Sequence, residues 1–138
     1  MKIAVAGLGY VGLSNAVLIA QNHEVVAVDL LQERVDLVAA RKSPIVDKDI
    51  EEFLSTKELK LSATTDSAAA YTGADFVIIA TPTNYDPQTN YFNTTAVQSA
   101  VDAVLAVNRK ACIVIKSTIP VGFTESLREQ TGYSNIIF

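Results

Sequence analysis

Three glycines near the amino end of the chain, Gly7, Gly9 and Gly12, have the spacing of a loop that binds phosphate groups. The first glycine permits a tight turn after a strand, and the second lets the backbone approach a pyrophosphate, where a Cβ atom would intrude. The third lets the following helix pack closely against the strand. Backbone N–H groups at the start of that helix, those of Tyr10, Val11 and Gly12, are then expected to face the phosphates, with the positive end of the helix dipole behind them.

The segments around the glycines complete a recognisable unit. Apolar residues at 2–6 predict a strand before the loop, those at 10–22 a helix after it, and those at 24–28 a second strand. Asp29 follows the second strand, at the place where a carboxylate accepts hydrogen bonds from ribose hydroxyls. Together these features predict a dinucleotide-binding site. The alternative, a glycine-rich turn without a ligand, would leave three conformationally costly glycines without a reason.

Asp29 also indicates which dinucleotide is bound. A carboxylate that holds both ribose hydroxyls repels a 2′-phosphate, which predicts NAD over NADP. The alternative role is to cap the helix that follows, and the two roles are compatible. Arg34 lies in the first turns of that helix, where a cation could reach the adenosine or a phosphate. From the sequence alone, a solvated surface arginine is an equal alternative.

The rest of the chain alternates between strands and helices, which predicts an α/β fold with a doubly wound parallel Rossmann sheet. The expected strand order is 3-2-1-4-5-6, with helices on both faces. Ligands bind such sheets beyond the carboxyl ends of the strands, so the site should be formed by loops 7–12, 29–34, 81–93 and 116–122. The remaining helices are predicted at 31–41, 48–57, 66–72, 94–108 and 122–131, and the remaining strands at 60–64, 76–80, 111–115 and 135–138.

Length and composition bound the possible functions. The 138 residues suit one domain, and 49% hydrophobic residues suit a sheet that is buried on both faces. The net charge of −4 argues against nucleic acid as a partner. No apolar run reaches the ~18 residues that a membrane span needs, and the leading residues do not form a signal peptide. The single cysteine, Cys112, excludes an internal disulfide and fits a reducing cytoplasm.

The four predicted loops contain the stretches GLGYVGL at 7–13, VDLLQERV at 28–35, ATPTNYDPQTNYFNT at 80–94 and KSTIPVG at 116–122. These stretches resemble the corresponding loops of the nucleotide-sugar 6-dehydrogenase family. The first is common to many dinucleotide-binding proteins, whereas the last two are specific to the family. Within the family, the third loop resembles the UDP-glucose branch more than the GDP-mannose or UDP-N-acetylmannosamine branches.

The resemblance implies NAD as the cofactor and a two-step oxidation of UDP-glucose to UDP-glucuronate. It further implies a cytoplasmic homodimer in the full-length protein, and a thioester on a cysteine of a later domain. The sugar would then be bound mostly by segments beyond this chain. Because the chain ends inside an apolar run, we expect residues 1–138 to be the amino-terminal NAD-binding domain of a longer enzyme.

The resemblance also implies roles for individual residues. Thr83 would contact the cofactor, and Thr118 would lie near the nicotinamide and a site water, as the one catalytic residue within this chain. Arg34 would be the basic residue used for the cofactor. The alternative for each threonine is a turn residue whose hydroxyl bonds its own backbone. Pro82 and Pro120 would stiffen the two loops by fixing φ.

Other reactive residues are predicted to be structural. Cys112 lies near the start of an apolar strand, which indicates a buried core residue and not a nucleophile. Lys116 should anchor the end of that strand, and His23 should lie at the end of the first helix. The acidic run at 47–52 is interpreted as the charged first turn of a helix, and no metal site is predicted.

Two further functions agree with part of the pattern. A non-enzymatic domain that senses a dinucleotide would share the glycine loop and Asp29, but would not need the two threonine loops. A methyltransferase also carries an acid after its second strand, but its glycine loop does not usually need the glycine at position 12.

Overall fold

A computed structural model describes residues 1–138, and its centre is a six-stranded parallel sheet. The elements are β1 (Lys2–Ala6), α1 (Tyr10–Ile19), β2 (Glu24–Val28), α2 (Gln32–Ala39), α3 (Lys48–Thr56), β3 (Leu61–Thr64), α4 (Ser67–Tyr71), β4 (Phe76–Ile79), β5 (Asn84–Asp86), β6 (Tyr91–Asn93), α5 (Thr95–Val107), β7 (Cys112–Ile115), α6 (Phe123–Thr131) and β8 (Ile136–Ile137). The strands lie across the sheet in the order β3-β2-β1-β4-β7-β8, which confirms the predicted doubly wound arrangement, with β7 and β8 as the predicted fifth and sixth strands.

Helices cover both faces of the sheet, as predicted. Successive side chains of a strand point to opposite faces, and β1 accordingly sends Ile3 and Val5 into one apolar cluster and Ala4 and Ala6 into another. The first cluster is closed by α1, α2 and α3, and the second by α4, α5 and α6. Because β1 is buried on both faces, its sequence is a continuous apolar run and does not alternate with polar residues.

One predicted loop contains regular structure. Residues 81–93 were expected to be irregular, but β5 and β6 form an antiparallel hairpin within them. Tyr85 lies opposite Phe92, with ring centroids 4.8 Å apart, and this aromatic pair stabilises the hairpin. The prediction was wrong because strands of three residues are too short to give a readable alternation.

The helix ends follow from their capping residues. The side chain of Asp47 accepts a hydrogen bond from Ile50 N at 2.9 Å, which confirms that the acidic run begins α3. His23 donates its backbone N–H to Ile19 O at 3.0 Å and so lies just beyond α1, as predicted. Before α5, Asn93 Oδ1 accepts from Thr95 N at 3.1 Å. No group of three or more metal-ligating side chains is present, and none of the helices has the length and apolarity to cross a bilayer.

Candidate functional site

A cleft opens at the carboxyl edge of the sheet, where the connections from β1 and β4 run in opposite directions. Its volume is about 350 Å³. Eight of the nine predicted cofactor-binding residues line it, and the ninth, Gly12, lies beneath it in α1. Leu8, Thr81 and Ser117 lie in the predicted loops but were given no individual role, and Ala80 lies just before the third loop. The lining residues are Gly7, Leu8, Gly9, Tyr10, Val11, Asp29, Arg34, Ala80, Thr81, Pro82, Thr83, Lys116, Ser117 and Thr118.

The three glycines of the first loop differ in whether the structure leaves room for a side chain at their positions. Gly7 adopts φ of +100°, and a Cβ atom there would lie 2.6 Å from Ala80 O. A Cβ atom on Gly12 would lie 1.8 Å from Gly7 O, so α1 packs against the turn only because this residue has no side chain. A Cβ atom on Gly9 would meet no atom within 4 Å. Gly7 and Gly12 are therefore required by the fold, whereas the chain itself leaves room at Gly9.

The amino end of α1 is suited to an anion. Gly9 is the N-cap, no side chain caps the helix, and its first turn has no acidic residue. The first N–H groups of a helix have no partner within the helix, and they carry the positive end of its dipole. The side chains of Tyr10 and Val11 are exposed. Backbone N–H groups at this end of α1 therefore border a cleft where phosphate oxygens could accept their hydrogen bonds.

Asp29 is buried and anchors two segments of the site. Its Oδ2 accepts a hydrogen bond from Leu8 N at 2.9 Å, and its Oδ1 accepts one from Leu31 N at 3.0 Å. The second bond satisfies an N–H at the start of α2, which resembles the predicted capping role, although the N-cap itself is Leu31. The first bond ties the end of β2 to the glycine loop and was not predicted. An ionised carboxylate offers about four acceptor positions, so these two bonds leave capacity for a ligand.

Arg34 stands beside Asp29 at the margin of the cleft. Its Nη1 lies 3.5 Å from Asp29 Oδ2, and its side chain is 37% exposed. The guanidinium partly balances the charge of the buried carboxylate and retains other N–H groups for hydrogen bonds. The position agrees with a role at the adenosine end of a dinucleotide, and differs from the alternative of a fully solvated arginine.

The two predicted threonines lie together on the other side of the cleft. Thr83 follows β4 and Thr118 follows β7, and these strands are neighbours in the sheet. Both threonines line the cleft. Ser117 lies between the two loops, and its buried hydroxyl bonds to Thr81 O. One feature of the sequence pointed to Ser117: it is a small polar residue two positions after the apolar strand β7. No spacing in the sequence identified Thr81 as its partner.

Cys112 and Lys116 lie at opposite ends of β7. Cys112 pairs with Phe76 at the amino end of the strand, away from the cleft, and is partly buried where full burial was predicted. Burial raises the pKa of its thiol, which favours the unreactive protonated form. Lys116 donates its backbone N–H to Ile79 O at 2.7 Å, which agrees with the predicted strand-end anchor. Its exposed side chain lines the cleft.

The strand order and the cleft define a Rossmann-type dinucleotide-binding domain. Residues 1–135 match the model of the UDP-glucose/GDP-mannose dehydrogenase family, NAD binding domain, and the chain belongs to this family. NAD is accordingly the cofactor, as predicted.

Individual proteins are similar to this chain over all or nearly all of its length. The chain is 50% identical over 138 residues to UDP-glucose 6-dehydrogenase of Streptococcus pneumoniae. The alignment covers all of this chain and 35% of that protein. It is 42% identical over 140 residues to UDP-glucose 6-dehydrogenase of Campylobacter jejuni, in an alignment that covers 100% of this chain and 36% of that protein. A UDP-glucose dehydrogenase structure from Pyrobaculum islandicum superposes with a TM-score of 0.82 at 30% identity, over 97% of this chain and 33% of that one. The chain thus spans about a third of the length of these relatives.

Proposed function

We propose that this chain is the NAD-binding domain of a longer enzyme that oxidises UDP-glucose to UDP-glucuronate in two successive two-electron steps. Two full-chain relatives named UDP-glucose 6-dehydrogenase support this substrate. The remaining two-thirds of those relatives would correspond to segments that bind most of the sugar nucleotide. GDP-mannose and UDP-N-acetylmannosamine are the alternative substrates, because dehydrogenases with those names are 34% and 35% identical to this chain. We also propose that the full-length enzyme is a cytoplasmic homodimer.

The observation that carries the proposal is that the glycine loop, Asp29 and the two threonines all line one cleft. The sheet places β2, β1, β4 and β7 side by side. A dinucleotide lying across their carboxyl ends would extend from Asp29 over the glycine loop to Thr83 and Thr118. We therefore infer that the adenosine ribose lies at Asp29, the pyrophosphate at the start of α1, and the nicotinamide at the threonines.

The chemistry within this chain is mainly binding and orientation. Bound NAD supplies the hydride acceptor for oxidation. Asp29 would accept ribose hydroxyls with the acceptor capacity that its bonds to Leu8 N, Leu31 N and Arg34 leave free, and Arg34 would bind beside it. The N–H groups of Tyr10, Val11 and Gly12 would hold the pyrophosphate. Thr118 would orient the nicotinamide and a water beside it, and is the one catalytic residue that we assign here.

A comparison of ligands separates the proposed class from its two alternatives. Titration calorimetry with NADH and with S-adenosylmethionine should give a signal for NADH alone. Preference for S-adenosylmethionine would indicate a methyltransferase. A domain that only senses the dinucleotide would bind NADH in the same way, but the corresponding full-length protein would not reduce NAD when UDP-glucose is added.

Cofactor choice provides a quantitative prediction. The chain should bind NADH at least tenfold more tightly than NADPH, about 1.4 kcal/mol, because a 2′-phosphate would lie against the buried Asp29 carboxylate. Asp29→Asn should narrow this preference, since it removes the charge while its amide oxygen can still accept a backbone N–H, and Arg34 is then free to pair with the phosphate. Fluorescence titration of both reduced cofactors measures the ratio. Equal affinities in the unmodified chain would contradict the role of Asp29.

An activity assay tests the proposal that this chain binds NAD but does not by itself catalyse the oxidation. With NAD and UDP-glucose, this chain should form no NADH detectable at 340 nm, although it binds NAD. The partly buried thiol with a raised pKa lies at the opposite edge from the cleft, and thioester chemistry needs an accessible thiolate. Cys112→Ser should leave NAD binding unchanged and cost about 1 kcal/mol of stability. Turnover that disappears in Cys112→Ser would mean that Cys112 is the nucleophile.

A further inference from the structure

We propose that Ser117 is a positioning residue that holds the two threonine loops together for the nicotinamide half of the dinucleotide. The inference rests on the proposed function, because it assigns a structural cause to the placement of Thr83 and Thr118. Ser117 precedes Thr118 directly, and its partner Thr81 lies two residues before Thr83. One side chain therefore connects the loops that carry both threonines.

The contact is made where the sheet ends. The pairing of β4 with β7 stops at Ile79 and Ile115, so strand hydrogen bonds no longer hold the chains beyond that point. Ile79 O accepts the backbone N–H of Lys116 at 2.7 Å and that of Ser117 at 3.2 Å. Past this carbonyl, the Ser117 hydroxyl donates to Thr81 O at 2.6 Å. The Ser117 side chain thus adds one hydrogen bond between the loops beyond the end of the strand pairing, on the side of the cleft.

The surroundings of Ser117 make this hydrogen bond costly to lose. Ser117 is 6% exposed, so water has little access to replace its hydroxyl. Its oxygen also lies 3.5 Å from Thr81 Oγ1, from which it can accept a second hydrogen bond. Loss of the hydroxyl would leave the partly buried carbonyl and hydroxyl of Thr81 without this partner, and a polar group that loses its hydrogen bond where water has limited access is destabilised. The hydrogen bonds that remain between the two segments would then be those to Ile79 O, at the end of β4, and the loops beyond it could separate.

The adenosine side of the cleft is held by other bonds. Leu8 N is fixed by Asp29 Oδ2, and Gly7 N donates to Val28 O at 2.7 Å. Neither bond involves the loops after β4 and β7. A change at Ser117 should therefore weaken the binding of ligands that contain the nicotinamide more than the binding of ligands that lack it. A general loss of stability would weaken the binding of all ligands alike.

The test compares NAD with ADP-ribose, which has both riboses and the pyrophosphate but no nicotinamide. Calorimetric titrations are made with the unmodified chain, Ser117→Ala, and Ser117→Cys, which is nearly the same size but a weaker hydrogen-bond donor. Ser62→Ala, an exposed serine on the distant edge strand β3, is the matched control. Circular dichroism and thermal melting establish that each variant is folded.

We expect Ser117→Ala to weaken NAD binding about tenfold and ADP-ribose binding by less than twofold, with Ser117→Cys between Ser117→Ala and the unmodified chain. Should the alanine variant not fold, the cysteine variant provides the same comparison. Equal losses for both ligands, or unchanged NAD affinity, would overturn the positioning role. Equal affinities of the unmodified chain for NAD and ADP-ribose would overturn it as well, because the threonine loops would then contribute nothing. If the unmodified chain bound neither ligand, the proposed function would fail, and this inference with it.

Discussion

Gly12→Ala is expected to destabilise the domain by about 3 kcal/mol or more, a large part of the 5–15 kcal/mol that is typical of a domain. The added Cβ would lie 1.8 Å from Gly7 O and 2.9 Å from Gly7 C. Both are backbone atoms of a turn that is itself held against Ala80, so no flexible side chain can move aside. Relief requires α1 to shift away from the sheet, which would open the core around Leu13 and Ala16. Urea unfolding followed by circular dichroism measures the change.

Gly9→Ala is the matched control for this substitution. It adds the same methyl group in the same loop, but into space where no atom lies within 4 Å, and at φ of −77°, which alanine adopts readily. Its effect on the free energy of unfolding should be below about 1 kcal/mol. Similar losses in both variants would show that the loop as a whole is intolerant of side chains, and that the packing of Gly12 on Gly7 is not the cause.

The pattern of residue types along the chain was sufficient to predict the strand order and to place the glycine loop and Asp29 in one candidate site. The glycine loop and Asp29 belong to one strand–helix–strand unit, whose spacing is set by the lengths of its elements, so their meeting in space follows from sequence distance. The remaining strands were readable because a parallel sheet buried on both faces requires continuous apolar runs. The rule that ligands bind at the carboxyl edge of the sheet then placed Thr83 and Thr118 in the same cleft as Asp29.

Interactions between distant segments were not predictable in this way. Ser117 and Thr81 are 36 positions apart, and the bond from Leu8 N to Asp29 joins residues 21 positions apart. Both depend on backbone groups, which are present at every position and leave no trace in the residue types. The second role of Asp29, as an anchor of the glycine loop, was hidden for this reason.

The burial of Cys112 was overestimated for a related reason. Strand β7 buries Ile113 and Ile115 under α5 and α6, while Cys112 and Val114 face the other side of the sheet and are only partly covered. The helices on that side, α1 to α3, follow β1 and β2 and pack over their half of the sheet. An apolar run indicates a strand, but it does not indicate how far the helices of each face extend.

Gly9→Val should abolish detectable NAD binding, a loss of at least 100-fold or about 2.7 kcal/mol, and leave the fold intact. Gly9 is the N-cap of α1, with φ of −77° and ψ of −170°, a conformation that valine adopts without strain. Its Cβ would project into open space, so the substitution does not disturb the core. In the proposed complex, however, the pyrophosphate must approach this backbone to reach the first N–H groups of the helix.

The same titration separates steric exclusion from a weakened helix end. Gly9→Ala carries only the Cβ and should lose less NAD affinity than Gly9→Val, because a methyl group fills less of the space that the phosphates need. Both variants should show the circular dichroism spectrum and melting temperature of the unmodified chain within a few degrees. NAD affinity retained within about fivefold in Gly9→Val would place the pyrophosphate elsewhere, since two methyl groups branching from Cβ cannot share a hydrogen-bonding approach with it. Loss of the fold in Gly9→Val would instead mean that the open space at this position is filled by the chain itself.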